Sequence, residues 1–360
     1  MQEKSVVVIG GGPGTDIVLV GLKRYTSRLT ALVSTFDANS RGSVLLEGNG
    51  AADHEGDDVR SSLLALGPDP ATTRIMERLF AYRFAHAPHG NEMGASFGNL
   101  FLAALADITG GTDLALRAAA RVLNVQGEVL PVTLEDRPLV AEMDDGTEVI
   151  VRTPSELSAA AAGVGVRHVR LQFPAQALDA AVHAIDHSDI IVLGPADLYF
   201  GLLAPLQLRG LSEAIMASDA VKILTCNLMT QANVTDGWPA SRFIRAVMSH
   251  LGGQGSLDCV IINSAPMPSD LMEMRAAEGS FPVQFDLDEC LSLGLNVIMR
   301  PVASSQALLH DPEKLARTIL FLGGGRSARR TERRRLFSTG PLPEIAAHSP
   351  GALTHRGAES

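Results

Sequence analysis

Val6-Val7-Val8-Ile9-Gly10-Gly11-Gly12-Pro13-Gly14-Thr15 is the stretch that decides the fold. Four β-branched residues in succession favour an extended strand, and three consecutive glycines end it. Ile17, Leu19, Val20 and Leu22 then supply the apolar residues of a helix. The order is strand, turn, helix. Residues 29–34 read as a second strand, which completes a unit of βαβ size with a right-handed crossover as the default. Glycines let the backbone approach phosphate oxygens, and the helix after them offers unpaired N–H groups and a positive dipole end. A small nucleotide-type ligand is therefore expected at Gly10, Gly11, Gly12, Gly14 and Thr15.

Two common versions of such a loop are excluded. There is no Lys in it, so it is not a Walker loop, and Thr15 stands where G-x-G-x-x-G requires its third glycine. Asp37, at the end of the second strand, is placed to bond a ribose hydroxyl and keeps an NAD-dependent oxidoreductase as a third reading. No His or Lys stands in a clear hydride-transfer context to support it.

Residues 38–60 are rich in Gly, Asn, Ser and Asp, have no sustained period and read as a long loop. Helical spacing predicts a layer of helices over 72–84, 97–108 and 113–123, the last two separated by Gly110-Gly111. Short β-type runs at 128–133, 138–142 and 147–152, with Asp145-Gly146 as a hairpin-type turn, predict a small antiparallel excursion. Buried-type strands at 169–173, 190–193, 221–226, 259–263 and 297–299 then alternate with helical stretches. Such alternation indicates a parallel sheet covered on both faces. The expectation is a Rossmann-like α/β fold, a mostly parallel sheet with helices on both faces plus a helical layer and a small antiparallel insertion. One domain over 1–325 is expected, with its excursion at about 70–155, and a basic then flexible tail over 326–360.

Composition narrows the function. The 360 residues are 46% hydrophobic, enough for a large core. No apolar run reaches the roughly 20 residues of a membrane helix, because Gly194, Pro195, Asp197 and Pro205 break the longest one. With no signal-peptide core at the N-terminus, a cytoplasmic protein is expected. The net charge of −10 argues against a nucleic-acid-binding body. The block of arginines from Arg326 to Arg335 reads as a solvated final helix. Cys226, Cys259 and Cys290 are odd in number and widely spaced, so they indicate neither a disulfide framework nor zinc. His54, His86 and His89 have no metal-ligand spacing, and there is no G-x-S-x-G elbow. The apolar helices suit a homodimer.

Ligands of open parallel sheets sit beyond the carboxyl ends of the strands. The segments after the later strands are polar: Gly194-Pro195-Ala196-Asp197-Leu198-Tyr199, then Asn227-Leu228-Met229-Thr230-Gln231, then Asn263-Ser264.

Together these segments resemble the CofD/YvcK family, specifically its YvcK-like branch of gluconeogenesis factors. The resemblance runs through Val8-Ile9-Gly10-Gly11-Gly12, Gly21-Leu22-Lys23-Arg24-Tyr25-Thr26, Asp58-Val59-Arg60 and Ser96-Phe97-Gly98-Asn99-Leu100. It continues through Gly127 to Thr133, Gly194-Pro195 with Leu198-Tyr199, and Asn227 with Met229-Thr230-Gln231. The resemblance implies a Rossmann-like protein that binds a UDP-sugar and influences carbon metabolism and cell-wall synthesis. It also implies that Asp58, Arg60, Ser96, Asn99, Gly194, Asp197, Tyr199, Asn227 and Thr230 join the glycine loop and Asp37 at the site. Its catalytic cousins transfer a 2-phospholactyl group to a deazaflavin, in the synthesis of coenzyme F420, with a divalent metal.

Departures from the family pattern fall where catalysis would be. Asp37 is followed by Ala38-Asn39-Ser40 rather than by a second Asp and two glycines, Ala95 replaces a His, and Gly194-Pro195-Ala196-Asp197 replaces Gly-Pro-Gly-Ser. Mg²⁺ favours carboxylates together with several waters, so one acid where two are usual weakens a metal-assisted reaction. The leading expectation is a regulatory protein that binds a nucleotide-sugar without a firmly indicated cofactor. The alternative is a phospho-group transferase with Mg²⁺ held by Asp37, aided by Asp58 or Asp197.

Overall fold

The computed structural model describes residues 3–36, 58–83 and 96–324. At its centre β1 (Val6–Gly10), buried along its whole length, pairs in parallel with β2 (Leu29–Val33) and with β7 (Ile190–Leu193). Val8 is the register point, opposite Ala31 on one side and Val192 on the other. β3 (Glu128–Pro131) extends the sheet beyond β2, while β8 (Val221–Thr225), β9 (Cys259–Asn263) and β10 (Asn296–Arg300) extend it beyond β7. The order is β10-β9-β8-β7-β1-β2-β3, all parallel, so the chain winds outward in opposite directions from the β1–β7 seam.

Alternate residues of these strands feed two apolar layers. Val6, Val8, Ala31, Val192 and Ile261 face α1 (Gly12–Leu22), α2 (Asp58–Ala65), α4 (Phe97–Thr109), α5 (Thr112–Val122) and α12 (Pro312–Gly323). Val7, Ile9, Leu193 and Val260 face α7 (Asp179–Asp186), α8 (Leu211–Ala217) and α9 (Ala240–His250). α3 (Pro70–Phe80) joins the first layer through Phe80, whose ring lies 5.9 Å from Phe97 and 5.4 Å from Phe101. A three-stranded antiparallel sheet, β5 (Glu148–Val151), β4 (Leu139–Met143) and β6 (Val166–Leu171), adds Leu139, Ala141, Val166 and Val169 to the second layer. α6 (Pro154–Ala161) links β5 to β6, while α10 (Ser269–Ala277) and α11 (Leu287–Ser292) link β9 to β10.

Two strands exchange the places that local pattern gives them. The run at 128–131, expected in the antiparallel excursion, forms the edge of the parallel sheet, where Pro131 is tolerated because an edge strand can spare an N–H. The run near 169, expected in the parallel sheet, is β6 of the small one. Arg167, His168 and Arg170 are exposed while Val166 and Val169 are buried, the register shift opposite Glu142 and Met143 bringing both valines inward and leaving one solvated face. The loop expected over 38–60 gives way to helix from Asp58. The tail over 326–360 lies outside the described residues.

The Gly21-to-Thr26 segment is architectural. A side chain at Gly21 would put its Cβ 2.1 Å from the carbonyl oxygen of Pro312, so glycine lets α1 and α12 cross in backbone contact. Lys23 Nζ donates to the carbonyls of Ala65 (2.7 Å) and Gly67 (2.6 Å), closing the end of α2. Tyr25 and Arg24 both bond Glu313 at the start of α12.

Gly21→Ala must therefore separate the two helices, and we expect it to cost about 1–3 kcal/mol in urea denaturation. Gly324→Ala, whose added carbon meets nothing within 4 Å, is expected to be neutral in the same measurement.

Candidate functional site

Two chain reversals meet above the β1–β7 seam. After β1 the chain turns at Gly11 and Gly12 into α1, with Gly12 in the left-handed region at φ +73°. After β7 it turns at Gly194, φ +65°, through Pro195 and Ala196 to Asp197. A Cβ on Gly14 would stand 2.6 Å from the Pro195 carbonyl oxygen, so the two loops touch backbone to backbone. The fully buried Thr15 hydroxyl lies 3.2 Å from both the Gly11 and Pro195 carbonyls and ties the loops together. Thr15 is thus a staple rather than a group facing a ligand. The first backbone N–H groups of α1 have no partner within the helix, and no acidic side chain sits in its first turn.

Asp58 closes this loop from the side of α2. Its carboxylate lies so close that a Cβ on Gly11 would fall 2.1 Å from Oδ2, and one on Gly12 3.6 Å from Oδ1. Arg60 points elsewhere. Its Nη1 donates to Ser96 Oγ and to Asn99 Oδ1, both at 2.8 Å, while Ser96 caps α4 by accepting from Asn99 N. Glycine at 98 leaves room for the Arg60 side chain, since a Cβ there would lie 2.6 Å from its Cδ. The two segments Asp-Val-Arg and Ser-Phe-Gly-Asn therefore form one clamp between α2 and α4.

The loops after β7 and β8 hold each other. Asp197 caps the wide-turned helix Leu198–Leu203 by accepting from Phe200 N at 2.8 Å. Burial pushes its carboxyl up from the usual range, while bonds from backbone N–H groups and the Gln231 side chain pull it down. Asn227 Nδ2 donates to the Ala196 carbonyl at 2.9 Å. Thr230 Oγ1 accepts from Phe281 N at 2.9 Å, and Thr230 N donates to the Phe281 carbonyl at 2.7 Å. Thr230 thus fastens the 280–281 segment. Tyr199 is 2% exposed and stacks edge-on against Trp238, its hydroxyl buried with no partner among the described residues. Burial raises its pKa above the usual value. Ser34, just after β2, donates to the Phe200 carbonyl and reaches across the end of β1.

Asp37 lies outside the described residues, as do His54, His86, His89 and Ala95. Among the described residues no three His, Cys, Asp or Glu side chains are grouped to hold a metal ion. Asp197, expected to aid Asp37 in holding Mg²⁺, has its carboxylate engaged in capping Phe200 N, which fits a metal ligand poorly.

Asp16 escapes sequence reading altogether. It stands just past the loop, inside α1, and accepts from Ser62 Oγ of α2 at 2.9 Å, while the neighbouring Ser61 hydroxyl donates to the Asp58 carbonyl at 3.1 Å. Desolvation between the helices pushes its carboxyl up to about 7, Glu77 adding to the rise and the two serines opposing it. The available signal was an acid in an apolar helix with no Lys or Arg at i+3 or i+4, where Leu19 and Val20 stand.

Known proteins match this chain over most of its length. The family described as 2-phospho-L-lactate transferase CofD matches residues 6–303. A gluconeogenesis factor of Halalkalibacterium halodurans is 35% identical over 325 residues, covering 89% of this chain and 97% of that protein. One of Bacillus subtilis is 32% identical over 326 residues, covering 89% and 98%. The crystal structure of a UPF0052 protein from Bacillus halodurans superposes with a TM-score of 0.77 at 35% identity, over 89% of this chain and 99% of that one.

The Asp16 environment predicts a pH dependence of stability. Its folded pKa, about 7, lies above the ordinary carboxyl value of 3.8, so the unfolded state loses this proton first. The stability Asp16 contributes falls as pH rises between those two values. We expect Asp16→Asn to match the parent near pH 4 and to exceed it at pH 8, measured by chemical denaturation at both.

Proposed function

We propose, because this chain belongs to the CofD family and groups within it with the gluconeogenesis factors, that it is a regulatory protein that binds a nucleotide-sugar. Carbon metabolism and cell-wall synthesis are the processes it would serve. The observation that carries the reading is the pair of loops joined by Gly14, Thr15 and Pro195 at the seam where the strand order reverses. Open α/β sheets bind ligands at such a switch point, beyond the carboxyl ends of the strands. There the first N–H groups of α1 would receive the pyrophosphate, with Gly11, Gly12 and Gly14 allowing its approach. Asp37 would bond ribose or sugar hydroxyls.

Binding is favoured over transfer by how the polar side chains are used. Asp197, Thr230 and Asn227 hold loops in place, and Arg60 is engaged by Ser96 and Asn99. These are the features of a scaffold that presents backbone dipoles to a ligand. The transferase alternative requires Mg²⁺ at Asp37 and turnover of a nucleotide-activated phospholactate.

A thermal-shift screen against UDP-sugars, UDP, NAD(H), GTP and a deazaflavin, with and without Mg²⁺, separates the readings. A UDP-sugar at about 100 times its Kd is expected to stabilise the protein by about 2.7 kcal/mol without metal. A shift confined to deazaflavin or guanine nucleotide with Mg²⁺ would instead establish the transferase.

A further inference from the structure

α1 and α2 lie side by side and run in the same direction, and their seam is a ladder of polar contacts. At the top, the Asp58 carboxylate abuts Gly11 and Gly12. One turn below, Ser62 holds Asp16 at 2.9 Å. Two turns further, Lys23 closes the end of α2 on the carbonyls of Ala65 and Gly67. Asp58 and Ser62 are four residues apart and share the face of α2 turned to α1. Asp16 stands four residues into α1, about 6 Å along the axis from the start of the helix.

Among the described residues, the charged groups around Asp16 do not neutralise it. On α3 the group facing it is Glu77, an acid. On α2 its partner is the hydroxyl of Ser62, the Ser61 hydroxyl donates to the Asp58 carbonyl, the Asp58 carboxylate lies above, and Arg60 is directed to Ser96 and Asn99. On its own helix the ammonium of Lys23 is taken up by α2 carbonyls. A carboxyl desolvated between two helices, held by a hydroxyl and faced by acids, changes charge near neutrality. It does so on the α2 side of α1, about one turn from the glycine loop.

We propose that Asp16 makes ligand binding at the glycine loop proton-linked: a phosphate-bearing ligand is held more tightly when the Asp16 carboxyl carries its proton. The proposal rests on the nucleotide-sugar reading of the loop. An ionised Asp16 opposes both the dipole of α1 and the incoming phosphate charge, whereas the neutral acid opposes neither. Reciprocity then requires that the bound phosphate draw a proton onto Asp16. The residue acts through the field at the loop and touches no ligand atom, so its role is that of a positioning and tuning group.

The test is calorimetric titration of the full chain with UDP-glucose at pH 6, 7 and 8, a ligand whose phosphates keep constant charge over that range. For the parent, affinity is expected to fall about fivefold from pH 6 to pH 8, the effect of one partly screened like charge at this separation. Asp16→Asn is expected to stay flat at the parent's pH 6 affinity. Ser62→Ala removes a hydroxyl that favours the ionised form, so its decline should move to higher pH. A parallel decline in the parent and Asp16→Asn would overturn the proposal and leave the nucleotide-sugar reading standing. No binding by any of the three at any pH would overturn that reading, and the linkage with it.

Discussion

Backbone contact between the Gly10–Thr15 loop and the Gly194–Asp197 loop is the constraint on which the rest of the structure depends. Parallel pairing of β1 with β7 brings together two turns that leave the sheet in opposite senses. They fit only because Gly14 carries no side chain toward Pro195 and the Thr15 hydroxyl satisfies carbonyls on both. That contact fixes the start of α1. The same helix then crosses α12 at Gly21 and lies along α2 from Asp58 to Gly67, so its direction is set at three places.

A second consequence comes from how polar groups are used. Side chains that look like a binding wall in the sequence serve as fasteners in the structure: Asp197 caps a helix, Asn227 secures Ala196, and Thr230 secures Phe281. Buried polar groups must find partners, and loops beyond a sheet supply many backbone groups to pair. At the seam the first N–H groups of α1 stand beside the Asp58 carboxylate. Main-chain dipoles held by such fasteners are pre-organised, and they respond to charge within a turn of them, the distance at which Asp16 stands along α1.

Much of this was legible in the sequence. The glycine loop, the parallel core strands near 190, 221, 259 and 297, and the helical layer emerge from period and composition, because each reports only its own neighbours along the chain. The places of β3 and β6 were less legible. Val129 and Leu130 suit either sheet by propensity, and only pairing with β2 assigns them. Val166 and Val169 set among Arg167, His168 and Arg170 were the available sign that β6 keeps one face in water.

By itself, the sequence determined that a β-strand breaks into glycines before a helix and that the core is a covered parallel sheet. Local sterics and hydrophobic period are enough for that. Only the tertiary structure decided that Arg60 joins α2 to Ser96 and Asn99, that Thr15 staples two loops 180 residues apart, and that Asp16 is desolvated against Ser62. These are contacts between distant parts of the chain. Their energy depends on burial and on which groups face each other, and neither quantity exists until the helices are packed.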